Sequence, residues 1–137
     1  MIELSKYIYE NYPGLKNKVQ YWQLLSLLDK NEDKVIIVKE GNVFKGAALY
    51  VRLTDDTFWK LHYGFIKIDN PQNIQQILNE KGENIHFLYL LADGIKTILK
   101  GLREVMIKEN PKTISWFSPD MSKLNNFKLK RRELCLQ

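Results

Sequence analysis

Cysteine, histidine and long apolar runs are what this chain has least of. Its 137 residues include one cysteine, Cys135, so no disulfide can form within the chain. With His62 and His86 the only histidines, too few soft ligands exist for a four-ligand structural zinc site. The most apolar stretch, residues 85–92, is far shorter than the roughly 20 residues a membrane-spanning helix needs. The opening Met-Ile-Glu-Leu-Ser has neither the basic start nor the apolar core of a signal peptide. The expectation is a reducing, cytoplasmic setting without metal, disulfide or membrane.

Positive charge is in excess but unevenly placed. The net charge is +5, and residues 123–137 hold Lys123, Lys128, Lys130, Arg131 and Arg132 against Glu133 alone. The rest is nearly neutral, so no global field favours nucleic acid. The alternation Phe127-Lys128-Leu129-Lys130 reads as an edge strand guarded by lysines ahead of a phosphate-binding tail. Hydrophobic residues make up 45%, enough for one core that buries roughly two-thirds of the unfolded surface.

The four prolines fall where the hydrophobic pattern changes type. Leu4, Tyr7 and Ile8 predict a helix over residues 3–11, and Val19, Trp22, Leu25 and Leu28 a second over 17–29. The β-branched run at 35–38, Gly41-Asn42 and the extended stretch 43–53 predict a hairpin. Aromatic-rich residues 57–68 predict a third strand, with a helical turn at Thr57-Phe58-Trp59-Lys60-Leu61 as the alternative. Pro71, Ile74, Ile77 and Leu78 predict a short helix ended by Gly82. Residues 85–91 are apolar on both alternating sets except at His86, the pattern of a central strand covered on both faces. Ile95, Ile98, Leu99, Leu102, Val105 and Met106 form one helical stripe, and residues 113–117 a further strand, which together spell a β-α-β crossover. A helical turn at 120–126 and a last strand near 127–136 complete the reading. Gly101 costs a helix interior about 1 kcal/mol relative to alanine, which points to close packing there.

This order of elements resembles the GNAT family of N-acetyltransferases over nearly the whole chain, in order though not in motif. The resemblance implies one α/β (α+β) domain over residues 1–137. Its mixed central sheet would have about six strands, an N-terminal antiparallel meander followed by a β-α-β crossover, and helices on both faces. It further implies that acetyl-CoA or another acyl-CoA lies after the central strand. Leu90, Leu91, Ala92, Gly94, Ile95, Lys96 and Thr97 would hold it, at a helix N-terminus whose free N–H groups and dipole attract phosphate. Of the family's phosphate signature, an Arg or Gln followed three and five residues on by Gly and then Gly or Ala, only Gly94 is present. Asp93 reads first as an N-cap, and Lys96, Lys100 and Arg103 are the nearby cations, Lys100 being spaced to pair with Glu104.

The implied chemistry is attack of an amine on a thioester, which needs a base for the amine and an acid for the thiolate. His86 is the first candidate base, set against the alternative of a packed core histidine, and Glu83 is the second. Ser118 is the candidate to hold the thiol, although Ser118-Pro119-Asp120 is also a turn signal. The tyrosine that many relatives use as the acid has no counterpart in residues 118–127. Two functions therefore stand open. One is a divergent acyl-CoA-dependent N-acyltransferase whose partners are a CoA thioester and an amine acceptor. The other is a non-catalytic binding module of the same fold for a protein partner or, less favoured, nucleic acid. Phe58, Trp59, Tyr63 and Phe65 are the residues for an acceptor groove or a homodimer interface.

Overall fold

Helical periodicity at the N-terminus becomes two helices, α1 (Ile2–Asn11) and α2 (Tyr21–Lys30), in a computed structural model that describes residues 2–12, 14–17, 19–66, 71–117 and 124–128. There follow β1 (Val35–Glu40), β2 (Val43–Leu53), α3 (Asp55–His62), α4 (Pro71–Leu78), β3 (Asn84–Ala92), α5 (Ile95–Glu109), β4 (Thr113–Phe117) and β5 (Leu124–Lys128). The five strands form one sheet in sequence order. Neighbours are antiparallel except β3 and β4, which α5 joins in parallel.

This corrects the expected GNAT-like sheet of about six strands. The described sheet has five, and its first three are no uninterrupted meander, because two helices separate β2 from β3. Residues 57–62 lie in α3, so the helical alternative at Thr57 to Leu61 holds there and the expected strand does not. Thr54 caps that helix by accepting from the Thr57 N–H at 3.3 Å, and Asp55 and Asp56 occupy its first turn. Glu80 reaches back to the same corner, accepting from the Thr54 N–H at 2.9 Å and from the Thr57 hydroxyl at 2.7 Å. Phe58 and Leu61 are buried while Trp59 and Tyr63 are exposed, a spacing of three rather than two. Of the helical turn expected at 120–126, residues 124–126 instead belong to β5 and the rest lies outside the described residues, as does most of the strand expected at 127–136.

Strand periodicity sends Ala47, Leu49, Val51 and Leu53 of β2 to one face, where α1 and α2 cover one end and α3 and α4 the other. Ala48 and Tyr50 point the opposite way, with Phe87 and Ile114, against Val105 and Leu102 of α5. One helix thus serves one face and four serve the other. The broad apolar stripe expected on α5 is only partly used: Val105 is buried, whereas Ile95 and Leu99 are 74% and 61% exposed.

Gly101 was expected to mark close packing, and the structure corrects this. A Cβ there would meet only Ile36 Cγ2, at 3.8 Å, an ordinary contact. Gly101→Ala is therefore expected to raise the unfolding free energy by about 0.5–1 kcal/mol, read as a higher urea midpoint at unchanged slope.

Candidate functional site

β3 is paired on both edges for only part of its length. β4 runs beside it from Asn84 to Phe87, while β2 stays with it to the Gly46–Ala92 pair. The register explains where β4 departs. Leu49 faces Tyr89 and Tyr50 faces Phe87, so Leu88 is an extra residue in β3, a β-bulge directly after the last β3–β4 pair. Bulges bend a strand and end its pairing. The result is a fork in which Leu88 to Ala92 have no strand on the β4 side among the described residues.

At the end of this overhang the chain turns at Asp93 and Gly94 into α5. Asp93 does not cap the helix, which corrects the sequence expectation. The N-cap is Gly94 at φ 91°, a left-handed conformation suited to glycine, and no side chain caps α5. Asp93 is held elsewhere. Its N–H donates to the Lys45 carbonyl at 2.7 Å, its carboxylate lies 3.5 Å from Lys45 Nζ, and its carbonyl accepts from the Thr97 hydroxyl at 3.1 Å. Ile98 is the first residue to bond back into the helix, to the Gly94 carbonyl at 3.3 Å. The N–H groups of Ile95, Lys96 and Thr97 belong to the turn that no intrahelical carbonyl reaches. The structure thus gathers Leu90, Leu91, Ala92, Gly94, Ile95, Lys96 and Thr97 at one place, where strand edge, uncapped helix start and exposed Lys96 meet.

Gly46 makes this corner possible, and sequence reasoning missed it. A Cβ at Gly46 would stand 2.6 Å from Thr97 Cγ2 and 3.0 Å from the Leu91 carbonyl oxygen. The only signal was a glycine in the interior of an otherwise apolar strand. Beneath α5 this close approach leaves a slot of about 20 Å³, room for about one water.

The expected catalytic groups are not assembled at this corner. His86 belongs to the paired part of β3 and is fully buried. Its Nδ1 lies 2.7 Å from Ser115 Oγ, its ring meets the edge of Phe117 at 5.5 Å, and its Nε2 has no hydrogen-bond partner among the described residues. Burial lowers its pKa to about 3, so the ring is neutral, yet no amine can reach it. The candidate base is thus corrected to a packed core residue. Glu83, the second candidate, is exposed and precedes β3 at the far end, about 30 Å from Gly94 at roughly 3.3 Å per strand residue. Ser118 lies outside the described residues, as do Cys135 and the basic tail beyond Lys128.

Among the described residues no group of three or more His, Cys, Asp or Glu is placed to hold a metal ion, and no helix is long and apolar enough to cross a membrane. No protein-family model matches the chain, and a search of curated proteins finds no match.

Two outcomes test this geometry. Gly46→Ala is expected to destabilise the fold by about 1–3 kcal/mol through overpacking, and Thr97→Ser, which removes Cγ2 and keeps the hydroxyl, should recover part of the loss in a double-mutant cycle. His86 carries a pH signature. The unfolded imidazole takes up its proton near pH 6.5 and the folded one only near pH 3, so the unfolded state binds more protons between these values. Its contribution is complete above pH 6.5 and is lost as pH falls, by about 2 kcal/mol at pH 5. Urea titrations from pH 7 to pH 5 should show the fall, and His86→Asn should flatten it.

Proposed function

We propose that this chain binds an acyl-CoA thioester in the β3–β4 fork and transfers its acyl group to an amine. One observation carries the reading: β3 continues past β4 with no strand on that side among the described residues, and this overhang ends at the uncapped N-terminus of a 15-residue helix. The pantetheine amides suit this edge, since extended amide chains add to strand edges by main-chain hydrogen bonds. The pyrophosphate suits the first turn of α5, with Lys96 beside it. The amine nitrogen would attack the thioester carbonyl, forming the C–N bond and breaking the C–S bond. The ammonium proton would pass through water to the departing thiolate. His86 has no part in that step. A ligand of this kind and a chain with one cysteine fit a reducing, cytoplasmic setting.

The sealing of His86 favours a second reading, a module that binds such a ligand without turning it over. Calorimetric titration with CoA and acetyl-CoA at millimolar concentration tests the binding step that both readings share. Gly94→Val should weaken binding at least tenfold, because a β-branched residue resists φ 91° and crowds the phosphates. Asp93→Asn should tighten it several-fold by removing a carboxylate next to the pyrophosphate. Absence of binding heat from folded protein sinks the proposal. If acetyl-CoA binds, thiol release in the presence of a lysine peptide or spermidine supports transfer, whereas binding without release with either amine supports the module.

A further inference from the structure

A cavity lies between α2 and α4, on the sheet face opposite α5. Its volume is about 480 Å³, within the range of small-molecule sites. Its walls are apolar where Leu27, Ile74 and Leu78 line it, and exposed Trp22 stands at its edge. Tyr89 of β3 also lines it. That side chain is 7% exposed, its ring is packed in the core, and its hydroxyl has no hydrogen bond among the described residues. The bulge at Leu88 puts it there, because the extra residue turns Leu88 and Tyr89 to the same face. Burial pushes the Tyr89 phenol up to about 12, so at neutral pH it is a hydrogen-bond donor.

Charge selects the ligand class. Among the described residues Lys30 is the one charged residue lining the cavity; the other polar groups there are neutral amides, a serine, the tyrosine and the Trp22 indole. Lys30 has no ion pair among the described residues. A cationic ligand would find no carboxylate here and would face Lys30, whereas an anionic one would meet a lysine without a competing partner.

We propose that the cleft between α2 and α4 binds a small monocarboxylate with an aromatic or aliphatic body, its carboxylate toward Lys30 and the Tyr89 hydroxyl donating to a ligand oxygen. The apolar body lies against Leu27, Ile74 and Leu78.

The test compares two probes of one body and opposite charge, 4-hydroxyphenylacetate and tyramine, titrated into the full ¹⁵N-labelled chain and followed by amide chemical shifts. The carboxylate at millimolar concentration should shift Leu27, Asn31 and Tyr89, and tyramine should shift none of them. Lys30→Met should weaken the carboxylate at least fivefold, and Tyr89→Phe, which keeps the packed ring, about threefold. Dispersed amide spectra confirm that each variant is folded. The proposal is overturned if neither probe shifts these residues, if tyramine binds as tightly, if the shifts fall on α5 instead, or if Lys30→Met changes nothing. Tyr89 belongs to the overhang as well as to the cleft, but Leu27 and Asn31 line only the cleft, on the sheet face opposite α5, so their shifts read this site independently of the CoA titration.

Discussion

A single extra residue, Leu88, sets the geometry on which the rest of this molecule depends. Up to Phe87, β3 is an interior strand with β2 on one edge and β4 on the other; beyond the bulge β2 is its one strand partner among the described residues. A strand that keeps one partner and loses the other presents a free row of backbone donors and acceptors, normally a liability to be covered. Here the row leads to the start of α5. The same bulge turns Tyr89 to the helical face, where it reaches the cleft between α2 and α4. One register shift thus positions both the fork and a lining residue of that cleft.

The layers around the sheet are unequal. Four helices share one face, and their buried residues form two clusters with contributions from Leu4, Leu28, Phe58 and Ile77. The other face has α5, which packs chiefly over β1 and β2 through residues such as Leu102 and Val105. Hydrophobic burial, not ion pairing, holds this arrangement. The four ion pairs of the described residues lie at or near the surface, where such pairs contribute about 1 kcal/mol at most. The corner at Asp93 rests instead on backbone and hydroxyl hydrogen bonds and on the absence of a side chain at Gly46.

His86 shows how burial decides chemistry. Its place opposite Ser115 in the β3–β4 pairing puts it where the sheet is continuous, one residue before the strands part. Two residues further along β3 the same side chain would stand at the fork. Proton transfer requires contact with the proton it moves, so a histidine sealed behind Phe117 serves packing whatever its intrinsic basicity.

Much of the local structure was legible in the sequence, because helical and strand periodicity are written in neighbouring residues. The hairpin of β1 and β2, the apolar strand β3, the helix α5 and the strand β4 occupy the residues their patterns predict. The helix over residues 57–62 was legible only as the alternative to a strand, since aromatic side chains favour strands and the Glu80 carboxylate that completes the Thr54 corner comes from a distant segment. Gly94 and the helix it opens could be read locally. The uncapped state could not, because Lys45, on another strand, holds Asp93 away from the helix. The burial of His86, the bulge at Leu88 and the approach of Gly46 to Thr97 likewise depend on partners 29 to 51 positions away in the chain. The sequence alone determined which segments are helices or strands wherever one face is apolar, because that choice is local. Only the tertiary structure decided which groups meet, because register, burial and close approach are properties of pairs of segments.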